Sequence, residues 1–536
     1  MTKKSYLSKR LLKIIAATSC ALLSALFVSC SDNHVDPNEN EPNPENPEPQ
    51  NEPNNGYKYK PLITEVMPAI RINTNDGSND FATKYNSNTK DQITYVGATI
   101  SVDNCEEKYQ LVNIDAKVKA RGNGSLNYSK KALRIKCDKK QKMLGLNNDA
   151  KFKSRVLLAD WNDLSMTNNP TAFYLGKTIL GSDGYYCSDY RNVEVYINGQ
   201  YWGVYLLCEQ QEAKGESGRT SVPQVPTSVD DNDNEVGYTG TDIGYFFEYD
   251  SYAKDEGSDG DPIFSLNYNN KAPLTKMNGS TYRFSGGGFI TATQYTYTIK
   301  NDIYDNSQVN FISSYLENVY RIVYNAVYSQ KYYKFNDNYT SLVTTTGDAQ
   351  TVVSNVLDVQ SLADMYILQE IACDSDLSWS SFFMSLDMSK DGKKKVIFEA
   401  PWDFDLSFGI RVGYEQNGGT TWYAANCNNP WLIILINQTW FQDMIKDKWN
   451  ELCENDILKN ALNNIETQKN TYASYYTKNY QKWSERITSG GQRNQIVSAV
   501  NINKTQADGA QYLTTWLHSR FNFLNNARGN GKDVLD

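Results

Sequence analysis

Apolar and polar side chains alternate in short runs through the first part of the chain, a pattern typical of β-strands. Between residues 62 and 207 these runs are separated by residues that favour turns. In the clearest case a run containing Val195 and Ile197 is followed by Asn198-Gly199 and then by a second apolar run. Asn and Gly both tolerate positive φ, so this pattern predicts a β-hairpin with a type I′ turn.

Further along, the spacing of apolar residues changes to that of helices. Phe311, Ile312, Tyr315, Leu316 and Val319 recur at intervals that place them on one helical face. Similar spacing occurs in several other segments, and a short strand is expected between two of them. The predicted elements are helices over 167–180, 309–330 and 359–371, a strand over 395–398, and a largely helical region over 431–527 with a break at Gly490-Gly491.

These patterns predict an α+β fold with no internal repeat. The β-rich part covers residues 57–215, a central part covers 216–415, and a helical part covers 416–536. The central part begins with a loop rich in Pro, Ser and Asp over 217–236. A second loop, over 250–261, is acidic and contains glycine; it lacks the spacing of an EF-hand, so a solvated loop is favoured over a divalent-ion site.

The amino terminus has the features of a targeting segment. Five basic residues precede an apolar run over 14–28, which is too short to favour a spanning helix. The run ends in Ser29-Cys30 and resembles a bacterial lipobox, which implies that Cys30 is lipidated. An ordinary cleaved signal peptide and an uncleaved anchor are the alternatives. Residues 31–56 are mostly Asn, Pro, Glu, Asp and Gln, so we expect an extended tether.

Composition excludes several classes of function. The net charge of −9 argues against nonspecific binding of nucleic acid. The two histidines, His34 and His518, lie in the tether and in a late helical pattern, which nearly eliminates histidine-based hydrolysis and zinc chemistry. Seven cysteines follow Cys30 without any CxxC spacing, so a structural zinc site is not expected. Chemistry must therefore depend on carboxylates, lysine, arginine and backbone amides.

One candidate site is a glycine loop between two strand-like runs, 116–120 and 130–136. Glycines in such a loop allow backbone N–H groups to approach a phosphate closely, although for this motif taken alone a simple turn is favoured. Cationic side chains alternate with apolar ones in the second run and could hold phosphates or form a solvated face. Glu209, at the end of the hairpin, could orient a lysine or cap its strand. The residues concerned are Arg121, Gly122, Asn123, Gly124, Arg134, Lys136 and Glu209.

Two aspartate-rich segments form the strongest candidate site. Asp374-Ser375-Asp376 ends the helix predicted over 359–371, and Pro401-Trp402-Asp403-Phe404-Asp405-Leu406-Ser407-Phe408-Gly409 follows one short strand later. Carboxylates embedded among aromatic residues are costly to bury unless they meet a cation or a reacting proton. Alternate residues of an extended segment point to the same side, so Asp403 and Asp405 would face together, and Mg²⁺ prefers such oxygen ligands. A structural network of turns and caps is the alternative.

The order of these features resembles the CotH kinase family of atypical secretory protein kinases. The order comprises the glycine loop, the strand lysine, the Asn-Gly hairpin ending in Glu209, the helix ending in an Asp pair, and the Trp-Asp-Phe-Asp segment. The resemblance extends to residues 156–159, to Asn162-Asp163 and to Trp449 and Trp483, and it covers about 61–527.

The resemblance implies a two-lobed, protein-kinase-like fold with a nucleotide cleft. It implies that Asp376 accepts the substrate hydroxyl proton and that Asp403 and Asp405 hold Mg²⁺ or Mn²⁺ with ATP. Lys136, or else Arg134 or Lys131, would contact phosphates, with Glu209 as a partner. Ser381 departs from the pattern, because it stands where kinases commonly supply a metal-binding Asn.

Sequence analysis therefore predicts an atypical kinase that acts on a protein hydroxyl at the cell envelope, where a lipid anchor holds it. The alternative is a catalytically silent, kinase-like surface lipoprotein that binds a protein or glycan partner, for which the 38 tyrosines and ten tryptophans provide stacking surfaces. A carboxylate-pair glycosidase is a third possibility, without support from a motif.

Overall fold

In the computed structural model, seven strands between Ala69 and Cys208 close into a barrel. The strand order is β1-β2-β3-β4-β5-β7-β6, and the neighbours are antiparallel except for the parallel pair β1 and β6. Alternate side chains of each strand point inwards and form a core that is separate from that of the helices. The strands are β1 Ala69–Thr74, β2 Val96–Asp103, β3 Leu111–Ala120, β4 Leu133–Gln141, β5 Phe152–Leu158, β6 Tyr190–Ile197 and β7 Gln200–Cys208.

The predicted hairpin is confirmed as the β6–β7 pair. Asn198 and Gly199 have φ values of +49° and +76°, as a type I′ turn requires. The outward-facing Leu206 and Cys208 of β7, with Val156 of β5, pack into the larger core formed by the rest of the chain. This contact joins the barrel to the helical part.

A second sheet of five strands lies in the central part, with the order β11-β14-β10-β17-β18. Three two-stranded pairs accompany it. Two of the short strands, β8 and β9, fall in or beside the segment predicted as a loop over 217–236. The strands are β8 Thr227–Val229, β9 Glu235–Gly237, β10 Gly244–Tyr249, β11 Ile263–Leu266, β12 Leu274–Thr275, β13 Thr281–Tyr282, β14 Tyr295–Ile299, β15 Tyr333–Phe335, β16 Leu342–Thr344, β17 Phe382–Asp387 and β18 Ile397–Phe398.

The predicted helices are confirmed to within a few residues at their ends. The helix at 359–372 is buried around nearly its whole circumference, so it forms the centre of the large core. Its buried Glu370 accepts a hydrogen bond from Arg520 of the last helix. The helices are α1 Asp80–Thr83, α2 Asn168–Ile179, α3 Ala253–Glu256, α4 Asn306–Tyr328, α5 Ala349–Ser354, α6 Val359–Ala372, α7 Pro430–Ile434, α8 Thr439–Glu454, α9 Ile457–Thr471, α10 Ala473–Lys482, α11 Ser484–Ser489 and α12 Gln506–Ala527.

The α+β class, with its β-rich first part and helical last part, is confirmed. The predicted kinase-like, two-lobed arrangement is not confirmed. The β-rich part is a closed barrel, and the chain from Asn54 to Asp536 forms one compact unit. Divisions at 215 and 415 stay predictions.

The structure describes residues 59–209, 211–213, 220–230, 235–256, 260–268, 272–284, 291–416, 418–492 and 495–535. The predicted signal segment, Cys30 and the tether lie outside these ranges. Within them, no helix is long and apolar enough to cross a bilayer, and the cysteines there, 105, 137, 187, 208, 373, 427 and 453, have free thiols.

Candidate functional site

The two aspartate-rich segments meet at the end of α6. Cys373 ends this helix in the left-handed conformation, with φ of +48°, and so turns the chain into the loop that carries Asp374 and Asp376. The second segment packs against the same helix end, where Phe408 donates its backbone N–H to the carbonyl of Ala372 over 2.7 Å. Ser407 Oγ lies 3.3 Å from Asp374 Oδ1. The fold thus joins the two segments that the sequence singled out.

Side-chain burial alternates along the second segment. Trp402, Phe404 and Leu406 are buried, whereas Asp403 and Asp405 keep part of their surface. The indole of Trp402 packs against Phe173 of α2, with ring centroids 5.7 Å apart. The backbone is irregular rather than extended, and Asp403 has a left-handed φ of +71°. Aromatic anchors therefore hold the two carboxylates in place without a strand.

The aspartates of the first segment have different surroundings. Asp374 is buried and accepts the backbone N–H of Asp376 over 3.1 Å, so it stabilises the loop. The side chain of Asp376 retains 28% of its accessible surface, so it can be reached from solvent. Arg411 Nη1 donates to Asp376 Oδ1 over 3.1 Å and to Ser375 Oγ over 3.0 Å.

Burial and mutual repulsion perturb these carboxyl groups. Burial raises the pKa of Asp403 to about 6; the charge of Asp376 adds to this rise and the charge of Arg121 opposes it. The pKa of Asp405 lies well above its ordinary value because of burial and the charges of Asp403 and Asp160. Burial also raises the pKa of Asp376, against the effect of Arg411. Such an excess of negative charge in one place favours a bound cation.

A segment after β5 supplies site residues to which sequence reasoning gave no role. Asn162 Nδ2 donates to Asp405 Oδ2 over 3.1 Å. Asn169 Nδ2 donates to Asp160 Oδ1 over 2.7 Å, and Asn169 Oδ1 accepts the N–H of Phe404 over 2.9 Å. Burial raises the pKa of Asp160 to about 6. The available signal was the three polar residues of Asp160-Trp161-Asn162-Asp163, shortly after a buried strand.

Glu248 and Lys300, on β10 and beside β14, were also missed. Glu248 Oε1 accepts the backbone N–H of Ser381 over 2.7 Å, and Glu248 Oε2 lies 3.0 Å from Lys300 Nζ. The negative charge of Glu248 contributes to the raised pKa of Asp403. Ser381 itself is 8% exposed and has a φ of +60°. No sequence pattern marked Glu248, because it lies in a strand far from the aspartate segments.

The glycine loop contributes Arg121 to the site. Its backbone N–H donates to Ala132 O over 3.0 Å, and its guanidinium lies 5.7 Å from the ring centroid of Trp402. Gly122 has a φ of +113°, which strongly favours glycine. Asn123 Oδ1 accepts a hydrogen bond from Lys90 over 2.7 Å. The loop therefore lies beside Asp403, although its backbone at Gly122 and Gly124 is not shown to bind anything.

The predicted cations on β4 lie on the outer face of the barrel. The strand begins at Leu133 rather than at Lys130, because Lys130 and Lys131 are buried and donate to backbone carbonyls. Arg134 pairs with Glu212 and with Ser154, and Lys136 is exposed beside it. The fully buried Glu209 accepts the N–H of Asp189 over 2.7 Å. Contact of Arg134, Lys136 and Glu209 with a nucleotide stays a prediction.

The donor set fits a hard divalent cation together with phosphate. Among the described residues, no three His, Cys, Asp or Glu side chains converge to hold a metal ion by themselves. Mg²⁺ usually takes only one or two protein carboxylates and completes its shell with phosphate oxygens and water. Asp403 and Asp405 supply two carboxylates, and Asp160 Oδ2 is a buried oxygen without a hydrogen-bond partner within the described part of the chain.

Fold and site together define an α+β protein with a carboxylate-rich site flanked by arginines. The protein-family model described as CotH kinase protein matches residues 118–524, which include Arg121, Asp376, Asp403 and Asp405. The chain therefore belongs to the CotH kinase protein family. Among curated proteins, the search finds no matching relative.

Proposed function

We propose that the protein transfers phosphate from ATP to a hydroxyl group of a protein substrate. The observation that carries this proposal is the convergence of Asp376, Asp403 and Asp405 on adjoining loops, with Arg121 and Arg411 as flanking cations. Family membership supports a kinase-like activity. Phosphoryl transfer requires mainly positioning and charge neutralisation, and this set of residues supplies both.

The side chains would have distinct roles. Asp403 and Asp405 would hold Mg²⁺ or Mn²⁺, which neutralises phosphate charge when it is bound. Arg121, beside Asp403, would contact phosphate oxygens. Asp376 would accept the proton of the substrate hydroxyl while that oxygen bonds to the γ-phosphorus and the bond from the γ-phosphorus to ADP breaks. The partial exposure of Asp376 is consistent with this role.

The setting of this activity follows from the amino-terminal sequence. Lipidation at Cys30 and the tether over 31–56 would hold the folded part at the cell envelope, close to protein substrates there. The net charge of −9 argues against nucleic acid as a partner.

A catalytically silent binding module is the second candidate. One specific observation favours it: the side chain of Ser381 offers only a hydroxyl where an amide ligand is common in kinases, and its backbone is engaged by Glu248. In that case the same site would bind a protein or glycan without transferring phosphate.

Nucleotide-dependent thermal stabilisation tests the proposal. Adding ATP with Mg²⁺ at millimolar concentration should raise the melting temperature of the full chain, because a ligand that binds only the folded state stabilises it. Asp403→Asn and Asp405→Asn should lose most of that shift. Asp391→Asn, at an exposed turn position, is the matched control and should keep it. If the wild type shows no shift, the nucleotide site is refuted and the binding module is favoured.

A further inference from the structure

Each carboxylate of the site has its own polar partner. Asp405 accepts from Asn162, Asp160 accepts from Asn169, and Asp403 lies in the field of Arg121. Among the carboxylates that face the site, Asp376 is the one in a direct salt bridge with an arginine, Arg411, within the described residues. The positively charged guanidinium of Arg411 thus contacts the carboxylate that is proposed to accept the proton.

Backbone contacts hold Arg411 in place independently of its side chain. The carbonyl of Ile410 accepts the N–H of Val497 over 2.9 Å, and Val412 donates its N–H to Gln495 O over 2.7 Å. Arg411 itself forms an antiparallel bridge with Ile496. Its guanidinium lies 4.9 Å from the ring centroid of Tyr414. These backbone contacts remain when the side chain is substituted, so we expect variants of Arg411 to keep the fold.

Asp376 lies on a loop that adjoins the segment of Asp403 and Asp405, because Ser407 Oγ lies 3.3 Å from Asp374 Oδ1 and Phe408 donates its backbone N–H to Ala372 O over 2.7 Å. The charge of Asp376 also raises the pKa of Asp403 and of Asp405. A divalent cation attracts any carboxylate within reach, and Mg²⁺ and Mn²⁺ both accept carboxylate oxygens. A carboxylate that coordinates a divalent cation is a poor proton acceptor, because the double charge of the ion holds its lone pairs strongly. The single charge of Arg411 acts more weakly, and its hydrogen bond is made to Asp376 Oδ1.

We propose that Arg411 reserves Asp376 for the proton by keeping its carboxylate out of the coordination shell of the cation. This inference rests on the proposed function and adds a positioning residue to it. The guanidinium satisfies the charge of Asp376 and fixes its Oδ1 through a hydrogen bond that also includes Ser375 Oγ on the same nitrogen. Asp403 and Asp405 are then left as the carboxylates available to the metal.

Binding of Mn²⁺ alone to the full chain tests this role without depending on activity. Electron paramagnetic resonance of free Mn²⁺ gives the dissociation constant. We expect Arg411→Gln and Arg411→Ala to bind Mn²⁺ on the order of tenfold more tightly than wild type, because a cation is lost and a carboxylate is released. Arg411→Lys keeps the charge and should bind within about twofold of wild type. Asp376→Asn alone should change affinity little.

The double variant Arg411→Gln/Asp376→Asn decides whether Asp376 is the source of the gain. The double variant should bind Mn²⁺ with an affinity close to that of the wild type. The effect of Arg411→Gln would then depend on the presence of Asp376, which is an energetic coupling between the two positions. If the higher Mn²⁺ affinity persists in the double variant, the inference is overturned. It is also overturned if Arg411→Gln and Arg411→Ala both bind Mn²⁺ as the wild type does or more weakly.

Kinetics provide a second readout. Arg411→Gln should lower kcat by a factor on the order of ten or more without raising KM for MnATP, and Arg411→Lys should recover part of kcat. A kcat in Arg411→Gln equal to or higher than that of the wild type would overturn the inference, because Arg411 would then not help Asp376 to accept the proton. Suppose that the wild type binds Mn²⁺ and the variants show the expected coupling between Arg411 and Asp376, but no phosphate is transferred. That result would refute the proposed function and leave the inference about Arg411 standing. Absence of Mn²⁺ binding in both wild type and Arg411→Gln would overturn the inference, whereas the proposed function is refuted by the absence of a thermal shift with MgATP.

Discussion

The side-chain amide of Asn162 donates a hydrogen bond to Asp405 across 3.1 Å, although the two residues are 243 positions apart in the chain. Asn162 follows the last residues of β5, and Asp405 belongs to the segment after β18. The same Asn162 accepts the backbone N–H of Gln492 over 3.0 Å. One amide thus connects the barrel, the aspartate segment and the helical part at the site.

Asp376→Asn should separate binding from catalysis. The substitution keeps the shape of the side chain and removes its charge, so the thermal shift with MgATP should remain. Phosphoryl transfer, including any autophosphorylation, should fall by a factor on the order of a hundred or more, because the amide cannot accept the proton. Transfer of radiolabelled phosphate measures the rate. Loss of MgATP binding in this variant would instead make Asp376 a metal ligand or a structural cap.

Ser381→Asn should leave activity equal or higher. An amide oxygen is a better ligand for Mg²⁺ than a hydroxyl, and Asn tolerates the left-handed backbone found at this position. The backbone N–H would still donate to Glu248. Rates at several Mg²⁺ concentrations measure the effect, with Ser381→Ala as the control that should not gain. A marked loss of activity in Ser381→Asn, in a protein that still melts like the wild type, would argue against a ligand at this position.

The melting temperature without divalent ions should fall between pH 5 and pH 7. Asp160 and Asp403 have pKa values of about 6 in the folded protein, above the ordinary value of 3.8. Between these values the folded chain binds protons that the unfolded chain has released, so the free energy of unfolding decreases as pH rises through about 6. Scanning calorimetry should show a smaller fall for Asp403→Asn and an unchanged fall for the exposed control Asp391→Asn.

Mg²⁺ should oppose that loss of stability. Asp403, with a pKa of about 6, is more ionised at pH 7 than at pH 5 and therefore more available to a cation, so added Mg²⁺ should raise the melting temperature by more at pH 7 than at pH 5. An equal effect at both pH values would disconnect the cation from these carboxylates.

Cys30→Ser should release the protein from the membrane fraction or leave the precursor unprocessed. The lipobox-like run ends at this cysteine, and a serine hydroxyl cannot take the thioether-linked lipid. Fractionation and intact mass measure the outcome, with Cys20→Ser, inside the apolar run, as the matched control. Unchanged fractionation and processing, with no lipid mass on the wild type, would refute the anchor.

Sequence reasoning was most successful where local chemistry dictates structure. Positive φ at Asn198 and Gly199 and the apolar spacing of α4 and α6 are properties of neighbouring residues, so the hairpin and the helices were predictable. It was less successful for β4. There Lys130 and Lys131 resemble the start of an amphipathic strand, but their ammonium groups donate to backbone carbonyls inside the protein. Closure of the barrel was also not foreseen, because it depends on the parallel pairing of β1 with β6.

By itself, the sequence determined the α+β class, the identity of Asp376, Asp403 and Asp405 as the candidate carboxylates, and the resemblance to a kinase family. Each of these depends on residues close together in the chain or on their order. Only the tertiary structure decided which other groups surround those carboxylates. Asn162, Glu248 and Arg411 come from three distant segments, and their effect on an aspartate depends on separations of a few ångströms, because electrostatic and hydrogen-bond energies fall steeply with distance.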